Sequence, residues 1–209
     1  MLFATFISRL LDPLWVIPAV TMLGARRSGL EGLVLIRFLL VITIFMLGIP
    51  LVLRLLYRRN GDWDISQRVD RPKALAVLLV LGLINIALAA VWDIPGLTQL
   101  FVLYEVWMAG FLVISLFWKI SGHAGGIALG TGLIILWYGW IWWPLLLLVP
   151  LMGWARVATK NHTTLQVLAG AVYSWGMIVM FQNVILGLDP RIHLTILPWI
   201  PAFAGMTGQ

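Results

Sequence analysis

The chain has 209 residues, 62% of them hydrophobic and 11% charged, with a net charge of +6 and a mean hydropathy of +1.01. That composition excludes an ordinary soluble domain, and the absence of cysteine excludes disulfide and thiolate chemistry. The positive balance suits anionic headgroups or an anionic substrate rather than nucleic acid, because the cations flank apolar runs instead of forming one soluble basic face.

The apolar residues come in solid blocks, without the alternating polarity of a membrane β-barrel, and predict an all-α polytopic membrane bundle of six to seven transmembrane helices. Spans fall at roughly 7–24, 33–55, 73–92, 98–118, 124–139, 142–156 and 163–186. The first is interrupted by Pro13 and Pro18, which predicts a kinked or partly interfacial helix. No small-residue cleavage site follows it, so it reads as an anchor rather than a removed signal peptide. Turns are marked by Gly29, Asn60-Gly61 and Asp93-Ile94-Pro95-Gly96. The fourth span contains Glu105, an ionisable group that needs a partner in lipid, and Arg37 in the second span is the expected one. Asn85, Gln182 and Asn183 read as interhelical hydrogen-bonding residues. The run Trp137-Tyr138-Gly139-Trp140-Ile141-Trp142-Trp143 reads as an interfacial belt at a tight turn.

Residues 1–187 form one integral-membrane domain on this reading, and 188–209 an irregular tail broken by Pro190, Pro198 and Pro201. Within the tail, Trp199 to Thr207 resembles a translated bacterial interspersed repeat, which points to a multi-pass protein of a bacterial cell (inner) membrane. His193 lies in this tail and is read as incidental.

Polar chemistry is confined to a few places. Ser121-Gly122-His123 lies beside Lys119; Arg156 and Lys160 precede His162; and Arg68, Arg71 and Lys73 precede the third span. Two spans separate Arg71 from His123 and two more separate His123 from His162, so all three clusters meet one membrane surface. Imidazoles among fixed cations suit phosphate chemistry, in which cations hold a phosphoryl group, one imidazole attacks and another protonates the leaving oxygen. No His/carboxylate cluster has metal-ligand spacing, so neither metal nor cofactor is expected. Lys73, Lys119 and Lys160 read as helix anchors.

Arg71-Pro72, Ser121-Gly122-His123 and Arg156-x5-His162 resemble, in order, the three motifs of the type 2 phosphatidic acid phosphatase superfamily, which includes lipid phosphate phosphatases. The resemblance covers roughly residues 55–185. It implies a helical bundle and a metal-independent phosphohydrolase acting on a lipid phosphate through a phosphohistidine. By position it makes His162 the nucleophile and His123 the general acid, with Arg71 and Arg156 as phosphoryl clamps helped by Ser121 and the Gly122 amide. Three positions depart from the family pattern: Asp64 for Lys, Ile120 for Pro, and Gln166 for Asp four residues after His162. Arg68, one helical turn from Arg71, is the expected replacement for the missing cation. Gln166 shares a helix face with His162 and can accept a hydrogen bond from its ring. His162-Thr163-x-x-Gln166-Val167 resembles a variant of polyisoprenyl-diphosphatase branches, which adds isoprenyl diphosphates to the expected substrates. The same residues leave open a lipid phosphotransferase, or a degenerate non-catalytic membrane protein.

Overall fold

The computed structural model describes residues 1–27, 30–57, 71–92 and 97–186, and among these it is helical throughout, with no strand. Six stretches are long and apolar enough to cross a membrane: Leu2–Arg26, Gly32–Leu56, Pro72–Val91, Leu97–Phe117, Trp140–Ala158 and Thr164–Phe181. A seventh apolar helix, Gly122–Tyr138, is shorter and more buried, and Pro13–Arg27, Trp140–Ala158 and Thr164–Leu186 pack against it. The chain is thus a multi-pass membrane bundle, as its apolar blocks require. Gly29, Asn60-Gly61, Asp64, Arg68, the turn at 93–96, His193 and the tail lie outside the described residues, as do the side chains of Gln182 and Asn183.

The first apolar stretch is two helices. α1 (Leu2–Leu10) ends before Asp12, and α2 (Pro13–Arg27) starts with a proline at its first position, where a missing N–H costs nothing. Asp12 Oδ1 accepts from Leu14 N at 2.9 Å, so it caps α2 as an N-terminal acidic residue should. α1 lies against the far end of α8 (Leu148–Ala158), where Ala4 and Ile7 pack on Ala155 and Phe3 approaches Trp154. The break therefore falls at Asp12-Pro13, within the stretch where a kink was expected.

α3 (Gly32–Val41) and α4 (Ile49–Tyr57) are joined by a π-helical segment, Ile42–Gly48. Pro50 cannot donate to the helical ladder and its ring crowds the carbonyl one turn back, a usual cause of such a widening. α5 (Arg71–Val91) and α6 (Leu97–Phe117) run antiparallel. α5 packs against both α3 and α6. That placement removes the ion pair expected between Arg37 and Glu105: among the described residues the two are not bonded, and the Arg37 guanidinium instead stands 5.7 Å from the centroid of the Trp92 ring.

α7 (Gly122–Tyr138) is the central element. Glycines let neighbouring backbones approach it. A Cβ on Gly126 would meet the Pro13 ring at 2.7 Å, and one on Gly170 of α9 (Thr164–Leu186) would meet the Ser121 carbonyl oxygen at 2.4 Å. The tryptophan belt lies where the turn was expected. Gly139, at φ +90°, reverses the chain, and a 3₁₀ segment, Trp140–Leu147, presents Trp140, Trp142 and Trp143 outward before α8 begins.

Candidate functional site

The Arg156-to-His162 spacing has a local cause. α8 ends with a left-handed residue, Lys160 at φ +57°, in a Schellman arrangement. Lys160 N donates to Val157 O at 2.9 Å and Asn161 N donates to Arg156 O at 3.1 Å. His162 N donates to the same Arg156 carbonyl at 3.2 Å. Six residues are thereby folded into a tight loop that brings the His162 backbone onto Arg156. The buried Arg156 guanidinium projects from the last turn of α8, where Nη1 donates to Ser8 Oγ of α1 at 2.8 Å.

His162 is buried just before α9, and Gln166 holds its ring. His162 Nδ1 and Gln166 Oε1 are 3.2 Å apart. The same Oε1 accepts from Thr163 N at 3.1 Å, and Gln166 N donates back to Thr163 Oγ1 at 3.4 Å. This reciprocal pair is a capping box, with Thr163 as the cap and Gln166 three residues in. Since the amide oxygen accepts, Nδ1 carries the proton and Nε2 is the ring nitrogen with the in-plane lone pair.

His123 sits in the first turn of α7. Ser121 is the cap, accepting from Ala124 N at 3.4 Å. Ser121 N donates to Gln166 O at 3.1 Å, which ties the start of α7 to the start of α9. His123, Ser121, Arg156, His162 and Gln166 are therefore connected by backbone bonds at one end of the bundle, as even numbers of crossings require. Gly122 occupies the first helical position, where the backbone N–H is free of the helical ladder. Arg71 opens α5, and its side chain lies outside those described.

Asp12, which the motif reading passed over, is completely buried in this cluster. Its Oδ2 stands 3.3 Å from His123 Nε2 and accepts a short bond from Arg54 Nη1. One carboxylate thus engages the His123 ring, an arginine from α4 and the N-terminus of α2. The signals for it were in the sequence: an ionisable residue inside an apolar run, directly before a proline that can open a helix.

A cavity of about 300 Å³ opens from this end into the bundle. Arg54, Gly122, His123 and Arg156 line its polar mouth. Its walls are mostly apolar side chains of α2, the π-helical segment, α5 and α6. Ser121 and His162 are not part of that wall. Among the described residues, no three His, Asp or Glu side chains gather as metal ligands.

No family model matches the chain, and no solved structure matches it. It is 39% identical over 64 residues to a lipid A 4'-phosphatase of Helicobacter pylori (strain J99), a likeness covering 30% of this chain and 32%, about a third, of that relative's length.

Proposed function

We propose that the chain is a membrane-embedded phosphohydrolase of the type 2 phosphatidic acid phosphatase kind, which removes phosphate from a lipid phosphate or isoprenyl diphosphate in a bacterial cell membrane. The observation that carries this reading is the pair of histidines, each with an oxygen partner, at the end of an apolar bundle where backbone bonds join His162 to the buried Arg156 and Ser121 to Gln166. Phosphoryl transfer asks for little else than positioning and positive charge. The partial likeness to a lipid A 4'-phosphatase supports the same chemistry.

On this reading the lipid chain occupies the apolar cavity and its phosphate lies at the mouth, against the Arg156 guanidinium and the Gly122 amide. Arg71 and Arg68 supply further cations from the start of α5 and the residues before it, and the Ser121 hydroxyl can still donate its proton. The His162 Nε2 lone pair attacks phosphorus. The bond from phosphorus to the lipid oxygen breaks, and His123 delivers a proton to that oxygen as it leaves. Gln166 fixes the His162 tautomer throughout, and Asp12 fixes the orientation of His123. Water then attacks the phosphohistidine, His123 takes its proton, and inorganic phosphate departs. No step requires a metal.

Purified protein should release phosphate from lipid mono- or diphosphates in the presence of chelator. His162→Ala should abolish both turnover and acid-labile phosphoenzyme. Gln166→Ala should slow turnover by about tenfold to a hundredfold, from the loss of a hydrogen bond worth about 1–3 kcal/mol. Gln166→Glu, which keeps both the capping box and the acceptor, should restore most of that rate. Full activity in Gln166→Ala would show that another group holds His162, and an inert wild type across a panel of lipid phosphates would overturn the proposal.

A further inference from the structure

The inner end of the cavity is not uniformly apolar. Asn85 of α5 is only 6% exposed and lines the cavity, and its Oδ1 has no hydrogen-bond partner. Interhelical hydrogen bonding was expected of this residue, and its oxygen makes none. Leaving such an acceptor unpaired when buried is destabilising. The Glu105 carboxyl of α6 stands against Gly82, close enough that a Cβ there would lie 1.8 Å from Oε2. Gly82 and Asn85 are three residues apart and share a face of α5. Two oxygen-bearing side chains therefore flank one patch of the wall. The neighbouring Tyr104 hydroxyl, by contrast, is already bonded to Thr21 Oγ1 at 3.0 Å.

Helix rise gives the depth of this patch. Asn85 is fourteen residues beyond Arg71, about 21 Å along α5, and Glu105 is twelve residues before Phe117, about 18 Å along α6. Both lie far below the phosphate-binding end, where a lipid substrate presents hydrocarbon. An acceptor at that depth serves a hydrogen-bond donor carried by the chain itself.

We propose that Asn85 and Glu105 form a second recognition point that binds a hydroxyl well down the hydrocarbon chain of the substrate, which makes hydroxylated lipid phosphates the preferred substrate class. This rests on the phosphatase reading above. The chain hydroxyl donates to Asn85 Oδ1, and the Glu105 carboxyl is the second polar contact. A plain chain leaves the amide oxygen dry and unpaired, and discrimination arises because a site built for a hydroxyl loses a bond when the hydroxyl is missing.

The test uses two phosphatidic acids, one bearing a hydroxyl about two-thirds of the way along an octadecanoyl chain and one without it. Wild type should show kcat/KM about tenfold higher for the hydroxylated lipid, which corresponds to one hydrogen bond to a buried acceptor. Asn85→Leu should bring the ratio towards one. Gly82→Ala, which alters neither polar group but displaces the Glu105 carboxyl, should lower the ratio in the same direction. Equal turnover of the two lipids by wild type would overturn the inference and leave the phosphatase reading standing. Retention of each lipid by His162→Ala protein in native mass spectrometry separates the two failures. Preferential retention of the hydroxylated lipid, with no phosphate release from wild type, would overturn the phosphatase reading alone. Equal retention would overturn the chain-recognition site.

Discussion

Fully buried, Asp12 engages the His123 ring, the Arg54 guanidinium and the Leu14 amide. Removing the charge at such a junction is costly, because the ion pair between Asp12 and the half-buried Arg54 is broken from one side. Asp12→Asn retains a good helix cap, so the loss it reports is electrostatic rather than local. We expect it to destabilise the protein by about 3–5 kcal/mol, the usual cost of breaking a buried ion pair from one side. Combining Asp12→Asn with Arg54→Met should recover most of the stability and none of the activity. Thermal melting of the two proteins, with phosphate release beside it, separates the structural part of Asp12 from its hold on His123. Activity restored together with stability would leave Asp12 as a structural residue only.

At the scale of the helices, the contact that matters most is the crossing of α7 and α9 beside Ser121. Gly170 permits it, since a Cβ there would collide with a backbone carbonyl that has no softer way to yield. Gly170→Ala should therefore push the two helix starts apart, lengthen the Ser121 to Gln166 backbone bond and abolish turnover along with much of the stability. Gly176, two turns further along α9, has nothing within 4 Å of the same atom. Gly176→Ala should stabilise α9 by about 0.5–1 kcal/mol through helix propensity and leave the rate intact. Melting temperature and phosphate release for the two variants check the claim, and similar behaviour of both would mean that the close approach at Gly170 is not what aligns the site. The Schellman turn at Lys160 and the capping box at Thr163 and Gln166 belong to this scale too. They convert the spacing between Arg156 and His162 into a fixed loop, and they give Gln166 a structural duty beside its bond to His162.

For the molecule as a whole, the alternation of helices assigns each loop to one end of the bundle. The site end includes Lys73 and Lys160, and the opposite end includes Arg26 and Trp140, all four exposed. The chain contains no cysteine, so single cysteines can be introduced without background. Lys73→Cys and Lys160→Cys should behave alike towards an impermeant maleimide, and Arg26→Cys and Trp140→Cys alike in the opposite sense, one pair reacting on intact cells and the other only after permeabilisation. Any split within either pair would break the single-face arrangement of the site.

Much of this was legible in the order of residues because it depends on interactions near in sequence. Apolar blocks set the spans, since lipid forces each segment to satisfy its own backbone. Gly139 and the tryptophans around it marked a turn, and the parity of crossings placed His123 at the same end of the bundle as Arg156 and His162. The bond from His162 to Gln166 was readable as well, because four residues on a helix share a face. What spacing could not supply were pairings across helices. Asp12 reaches both Arg54 and His123 only because α2 begins and α4 ends at the mouth of the cavity. The expected Arg37–Glu105 pair failed for the same reason, since similar depth in a membrane says nothing about which helices are neighbours, and α5 packs against both partners' helices. Sequence determined how deep each polar group lies; the packing of helices decided which of them touch, because side-chain contacts in lipid reach only the adjacent helix.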